Sequence, residues 1–384
     1  MVTELFKSKN ECCGCTACYS ICPYNAIEMK VDEEGFSYPR IKETKCKQCG
    51  LCKKVCDFKQ FEKLSHDVKT LAVRCKDQKE ILQSRSGGIF AMLAKSIIES
   101  GGVVFGCSAS NVTHICHKSA NNMVDVQEFR KSKYVQSDMG KCFEECCRYL
   151  LEDRYVLFSG TGCQVHGLIS YLTLRNVSMN KLLTIDIVCH GVPSPGIWKE
   201  WISFLQNKRK KKIKEVEFRN KALFGWAAHM ESYTFDDNTM LTTDIWTELF
   251  ASNAILRPSC YQCPYTTPYR NSDITIADYW GIEKNVPELN DDKGVSLVII
   301  QSNKGNDFFY RIKDYIEFYE TSLDNSLQPN LIKPSEAYAK RKRVMEYYSV
   351  HGSEKFINKY LNNHSLFYLA IKFKKKAGRL FRKQ

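Results

Sequence analysis

The 384-residue chain is long enough for two or three domains with a sizeable core, and it carries a net charge of +13 and 19 cysteines. Its first segment, MVTELFKSKNE, lacks the apolar stretch and cleavage site of a signal peptide, and no apolar run approaches the roughly 18 residues that cross a bilayer. A secreted disulfide scaffold and an integral membrane protein are set aside, and the expectation is a cytoplasmic protein whose thiols stay reduced and free to bind iron.

In chain order, the first feature is a cysteine pattern written twice. Cys12, Cys15, Cys18 and Cys22 read CxxCxxCxxxC before Pro23, and Cys46, Cys49, Cys52 and Cys56 repeat the spacing with Asp57 where the proline would be. Over roughly residues 1 to 60 this resembles the bacterial-type two-cluster 4Fe-4S ferredoxins, in which three thiolates two residues apart wrap one cubane and the fourth serves the other cluster. The sets expected are therefore Cys12, Cys15, Cys18 and Cys56, and Cys46, Cys49, Cys52 and Cys22. Zinc, which prefers two ligand pairs separated by a longer loop, and disulfides are the alternatives. Gly14 and Gly50 allow tight turns beside sulfide, and Ala26-Ile27 opens a short apolar strand or turn that would cover a cluster.

Residues 57–69 are polar with little periodicity and read as a linker. Beyond them come a short strand Leu71-Ala72-Val73, the turn QSRSGG, an amphipathic helix from Ile89 to Ser100 closed by Gly101-Gly102, and a strand from Val103 to Cys107. A helix near Met139 to Glu152, a strand Tyr155 to Phe158, a helix Val165 to Leu174 and a strand Leu182 to Val188 continue the alternation. This argues for a mixed, largely parallel α/β fold, with antiparallel segments at Lys214 to Arg219 and Glu231 to Phe235 and a buried strand from Val295 to Ile300. The organisation expected is α+β or α/β: a small ferredoxin-like domain over 1–60, an α/β body over 70–325 and a short helical extension over 326–384.

Three loops of the body carry further cysteines. In SGTGCQVHGL a buried strand ends at Phe158, Gly160 and Gly162 make a turn, and Cys163 opens a helix whose backbone N–H groups favour thiolate. In IDIVCHGVPSPGIW a strand leads to Cys189, His190 and a proline loop, and RPSCYQCPY places Cys260 and Cys263 two residues apart. These four could converge on one metal site. Cys13, Cys75, Cys107, Cys116, Cys142, Cys146 and Cys147 show no ligand spacing and are assigned to packing.

Towards the C-terminus, Pro329, Pro334 and the helical run Ser335 to Tyr348 suggest a small helical appendage. From Ser365 to Gln384 there are seven basic residues and no acidic one. Leu366, Leu369, Phe373, Ala377, Leu380 and Phe381 recur there at helical spacing, making an amphipathic basic helix. Peripheral contact with an anionic inner-membrane surface or an acidic partner is one use for it; packing of its stripe on the body is the other. The run Lys208 to Lys212 reads as a solvated helix end, and without interleaved aromatics no nucleic-acid partner is expected.

From about Leu71 to about Phe309 the body resembles the coenzyme F-420 hydrogenase/dehydrogenase beta-subunit family. The likeness is carried by SRSGG (84–88), RKSKYVQSDMG (130–140), VLFSGTGCQVHGL (156–168), IVCHGVPSPGIW (187–198), RPSCYQCPY (257–265) and SDITIADYWGIE (272–283). It departs from the family pattern at Gly162, where proline is usual. The resemblance implies an FAD-dependent iron-sulfur oxidoreductase and makes Cys163, Cys189, Cys260 and Cys263 candidates for a third 4Fe-4S cluster; a nucleophilic Cys163 or simple packing are the alternatives.

With a flavin implied, Ser84, Ser86, Gly87 and Gly88 form a small-residue turn before a helix, suited to a pyrophosphate. Lys131, Lys133 and Tyr134 are candidates for phosphate and ring contacts, as are Gly160 and Thr161. Taken without the resemblance, each is equally an ordinary capped helix or basic loop. Asp278 ends an apolar strand where it either holds a loop or meets flavin or substrate, and His190 is either a support to its neighbouring ligand or a proton donor. The expected activity relays electrons between 4Fe-4S clusters and FAD, with a partner such as a ferredoxin, to reduce or oxidise a deazaflavin coenzyme or another small organic substrate. The alternative is a non-catalytic electron-transfer subunit feeding a partner enzyme.

Overall fold

The computed structural model describes residues 4–56, 58, 61, 64–362 and 364–381, with side chains up to residue 373. Asp57, much of the linker and the side chains of the basic residues beyond 373 therefore lie outside the described part of the chain. In the N-terminal part, β1 (Ile27–Val31) and β2 (Ser37–Ile41) form an antiparallel hairpin. The cysteine repeat is also a repeat of backbone shape. Gly14 (φ 73°) and Gln48 (φ 55°) occupy equivalent left-handed positions, as do Thr16 (φ 69°) and Gly50 (φ 77°), so each run coils back before a single helical turn, Ala17–Ser20 or Leu51–Lys54.

The body is built on one eight-stranded sheet. Its strands are β3 (Lys69–Cys75), β4 (Val103–Ser108), β5 (Cys116–Ala120), β6 (Val156–Thr161), β7 (Leu182–Ile187), β11 (Ile274–Asp278), β12 (Ser296–Ile300) and β13 (Ile316–Thr321), in the order β13-β3-β12-β11-β7-β6-β4-β5. The four central strands β11, β7, β6 and β4 are parallel, and the flanking pairs are antiparallel. Side chains alternate between faces as the strand period dictates. Leu157 and Leu183 pack beneath the helix Ile89–Glu99, whereas Val156 and Phe158 face the helices Cys142–Leu151 and Gly162–Leu174. Each such buried aliphatic side chain contributes roughly 1.5–3 kcal/mol. Because β6, β7 and β11 run the same way, Thr161, Ile187 and Asp278 end on one edge of the sheet, and the loops beyond them are neighbours.

The antiparallel segments form a separate sheet of β8 (Ile213–Glu217), β9 (Glu231–Phe235) and β10 (Met240–Thr243). It shares an aromatic core with Trp198 and Trp201 of the helix Pro195–Arg209 and with Trp246. The three indoles each donate to a buried oxygen: Val112 O, the Tyr233 hydroxyl and Tyr134 O. The lysine run does lie at a helix end, with Lys210 left-handed just past Arg209.

The N-terminal hairpin is joined tightly to the body. Gly196 N donates to Gly35 O at 3.1 Å, and a Cβ on Gly35 would come within 2.8 Å of Gly196 Cα. Ser194 Oγ donates to Glu34 O, and the Glu34 carboxylate pairs with both terminal nitrogens of Arg341. Arg341 starts the helix Arg341–Tyr360, later than the run expected from Ser335, and Gly352 breaks its helical path. The last helix, Leu366–Phe381, docks by Phe367 against Tyr338 and Tyr360, and by Tyr368 and Lys372 on Asp244. Leu366, Leu369 and Phe373 face outward, so this part of the apolar stripe does not pack on the body. Among the described residues no helix is long and apolar enough to cross a membrane.

Candidate functional site

Three cavities are lined by cysteines. Cys12, Cys15, Cys18 and Cys56 line the first, together with Gly14, Val55 and Phe58. A second is walled by Cys163, Cys189, Cys260 and Cys263, and a third by Cys22, Cys46, Cys49 and Cys52. The crossing of Cys22 and Cys56 between sets follows from the two single-turn helices lying against each other. Gly167, in the helix Gly162–Leu174, admits the first loop: a Cβ there would approach Cys15 Sγ to 2.9 Å. The four later cysteines come from the loop after β6, the loop after β7 and a 3-10 turn, Pro258–Gln262, folded over the same sheet edge.

The chemistry of these walls suits iron held by thiolate. Burial pushes the Cys189 and Cys260 thiols up to about 12 and those of Cys18 and Cys263 well above their ordinary range. Protonated thiols are thus favoured until a cation compensates the charge. Donors already face several sulfurs: Ala26 N on Cys22 at 3.3 Å, Gln48 N on Cys46 at 3.4 Å and the Thr161 hydroxyl beside Cys163 at 3.2 Å. Among the described residues no three His, Cys or carboxylate groups gather around one metal ion. A cubane needs a wider spread, because each of its irons takes its own thiolate.

Cys13, assigned to packing from its spacing, lines both the first and second cavities. Its thiol is within hydrogen-bond reach of Cys15 and Cys163. Hydrogen bonding from Cys13, then from Thr161, holds Cys163 down at about 7. Arg257, also unassigned from sequence, is completely buried between the two cavities. Its Nε donates to Cys12 O at 2.8 Å, its Nη1 to Gln136 Oε1 at 2.9 Å and its Nη2 to Ser37 O at 3.1 Å. Gln136 in turn donates to Cys13 O, and Gly14 leaves room for the guanidinium. The Arg270 side chain lines the second cavity and pairs with buried Asp186 at 2.8 Å.

The residues proposed for a flavin are placed less favourably. Ser84 Oγ donates to Glu80, Ser86 Oγ to Val295 O, and Gly87 N to Ser296 Oγ. These donors are spent inside the protein. Gly87 is needed for contact, since a Cβ would meet Val73 O at 2.2 Å, and Gly88 caps the next helix at φ 89°. Lys131 pairs with Glu217, Lys133 Nζ is held by the Glu128, Arg130 and Lys131 carbonyls, and Tyr134 stacks on Phe250. Thr161 and Gln164 form a capping box at the helix start, with Gly160 directly before. The exception is Arg85, inside the same turn, whose buried Nη1 has no partner.

Asp278 accepts from Arg219 and the Trp226 indole at 2.9 Å each and lies 3.5 Å from Arg85 Nε. Burial pushes Arg85 down from its ordinary value, with Asp278 opposing. His190 Nε2 lies 2.6 Å from Asn253 Oδ1, while its ring meets Phe250 edge-on. Tyr134, Phe250 and His190 thus form a file of rings reaching the wall beside Cys189.

Two sequence families match. Residues 153–325 fit the model described as the C terminus of the coenzyme F420 hydrogenase/dehydrogenase beta subunit, and residues 11–59 that of the 4Fe-4S dicluster domain. No curated protein matches in sequence. Among solved structures, a chain of the F420-reducing [NiFe] hydrogenase complex from Methanosarcina barkeri, studied by xenon derivatization, is similar at 17% identity and a TM-score of 0.46, over 77% of this chain and 96% of that one. Residues 11–59 thus match a 4Fe-4S dicluster domain, and residues 153–325 are similar to the C-terminal part of the coenzyme F420 hydrogenase/dehydrogenase beta subunit, an iron-sulfur domain joined to a segment of an oxidoreductase-related family.

Proposed function

We propose that the chain is an electron relay whose outermost thiolate set exchanges single electrons with a partner and whose inner end serves FAD-dependent conversion of a deazaflavin coenzyme or another small organic substrate. One observation carries this reading. The cavity of Cys12, Cys15, Cys18 and Cys56 and that of Cys163, Cys189, Cys260 and Cys263 share Cys13, Phe58, Cys163 and Tyr265 as a common wall. Groups held in them would be one layer of side chains apart.

Cubane clusters, when bound, supply one-electron transfer at potentials set by hydrogen bonds to sulfur and by solvent exposure. The chain's part is to bind and shield. Twelve thiolates in three sets would hold the irons, backbone N–H groups would stabilise the sulfurs, and Phe58 and Tyr265 would keep water from the shared wall. A flavin would supply the change between single electrons and a hydride. Arg85, with its unused buried nitrogen, and Tyr134 are the residues left to hold it, with Asp278 orienting Arg85 and Arg219. His190, whose Nε2 lies 2.6 Å from Asn253 Oδ1, would steady the loop of Cys189. The outward Leu366, Leu369 and Phe373, beside a basic C-terminal run, support a peripheral contact with anionic lipid, which sedimentation with anionic but not neutral vesicles would reveal.

Purification without oxygen, with iron, sulfide and flavin quantified on one sample, tests the relay. About twelve irons per chain with about one flavin is the expected result. A colourless protein carrying neither would end this reading.

A further inference from the structure

The relay needs an open end, and the structure offers one. Of the 19 cysteines, Cys49 alone is exposed. It belongs to the third cavity, whose wall also includes the exposed Tyr24 and Lys47. Lys45, Lys47, Lys53 and Lys54 all lie within five residues of Cys49, and all four are exposed. From residue 42 to residue 56 there are five lysines and one glutamate. Lys42 is paired with Glu28 at 2.7 Å, whereas Lys45, Lys47, Lys53 and Lys54 have no carboxylate partner among the described residues. The other two thiolate sets have no exposed member.

We infer that this lysine rim around Cys49, with Tyr24 as its apolar centre, is the docking surface for an acidic electron-carrier protein. The inference rests on the relay reading and gives it a partner chemistry. An interface of this composition suits a short-lived redox encounter: a small contact, apolar in the middle and charged at the edge, in which opposite charge accelerates collision while dissociation stays fast. A positive rim selects a carrier whose own cluster is surrounded by aspartate and glutamate. In each encounter one electron leaves the reduced carrier, which is oxidised by one, and reaches the iron bound by Cys22, Cys46, Cys49 and Cys52, which is reduced by one. No bond is made or broken and no proton moves between the proteins.

The test uses the full-length, iron-loaded protein and two reductants followed by stopped-flow absorbance: a strongly acidic 2Fe-2S ferredoxin, reduced beforehand, and the small methyl viologen radical cation. The wild-type rate with ferredoxin should fall steeply as salt is raised, and the variant with Lys45→Gln, Lys53→Gln and Lys54→Gln should be slower by about tenfold or more at low salt, converging with wild type at high salt. With the viologen cation the variant should be no slower than wild type, and its iron content should match. Equal ferredoxin rates and equal salt dependence in the two proteins would overturn the docking surface while leaving the relay intact. Failure of the viologen cation to reduce iron-loaded wild-type protein would instead overturn the relay, and the docking surface with it. A variant slowed equally towards both reductants would also count against docking, since it would point to an altered cluster.

Discussion

Arg257 donates from Nε to the carbonyl oxygen of Cys12 at 2.8 Å while its Nη2 lies 3.7 Å from the sulfur of the same residue. A cation that no water reaches is thereby fixed beside one proposed ligand and three residues before another, Cys260. Its charge is kept by the electron-rich groups around it; burial opposes this and Cys12 and Tyr38 restore it, leaving Arg257 above its ordinary value. An added electron nearby is stabilised by such a charge. Replacing Arg257 with Gln should lower the midpoint potential of the adjacent cluster by on the order of 60 mV, a tenfold change in a one-electron equilibrium, whereas Arg257→Lys should recover part of the shift. Redox titration followed by electron paramagnetic resonance measures it; an unchanged potential would show that the guanidinium only braces the loop.

Cys189 should be needed for iron in a way that Cys146 is not. Cys189→Ser removes one wall of the second cavity and is expected to cost about a third of the iron. Cys146 is fully buried among Val156, Phe158 and neighbouring side chains, so Cys146→Ser should leave iron content unchanged and lower stability slightly. Colorimetric iron per chain separates the two.

Asp186 and Arg270 are a buried pair whose breaking should be costly. Their side chains are 1% and 3% exposed, and Ser272 Oγ also donates to the carboxylate at 3.0 Å. Arg270→Met strands the carboxylate and should cost about 3–5 kcal/mol, with Asp186→Leu in the same chain restoring part of the loss. Urea unfolding of the single and double variants decides it.

Stability should also depend on His117. Its Nε2 donates to Ser159 O at 3.0 Å, its Nδ1 accepts from the Ser137 hydroxyl at 2.8 Å, and burial pushes it down to about 4. The unfolded chain, near 6.5, therefore binds the proton first as pH falls. Stability supplied by the neutral ring is complete above about 6.5 and declines towards 4, so about 2 kcal/mol should be lost by pH 5. A His117→Gln variant should show a flatter profile between pH 7 and pH 5 in urea midpoints; a slope as steep as wild type would assign the pH dependence elsewhere.

What the amino-acid order discloses divides by range. The two cysteine runs are legible because ligand spacing is local, and the left-handed positions at residues 14, 16, 48 and 50 depend only on adjacent backbone. The loops of Cys163 and Cys189 are legible at one remove, since strands that alternate with helices bring their ends to a shared edge. Cys13 is not, because its place between cavities depends on the helix at Gly167 approaching Cys15. What engages the turn at Ser84 to Gly87 is hidden for a similar reason: the partners of the Ser86 hydroxyl and the Gly87 N–H, Val295 and Ser296, lie some 209 residues further on. Nor does any local signal announce that β3 lies between β12 and β13.

The clasp of Arg341 on Glu34 joins positions 307 residues apart. At roughly 5–20 residues per second, a ribosome would extrude the first hairpin roughly 15–60 s before the helix that fastens it. Over that interval the nascent hairpin stands without the ion pair that later fastens it to the body.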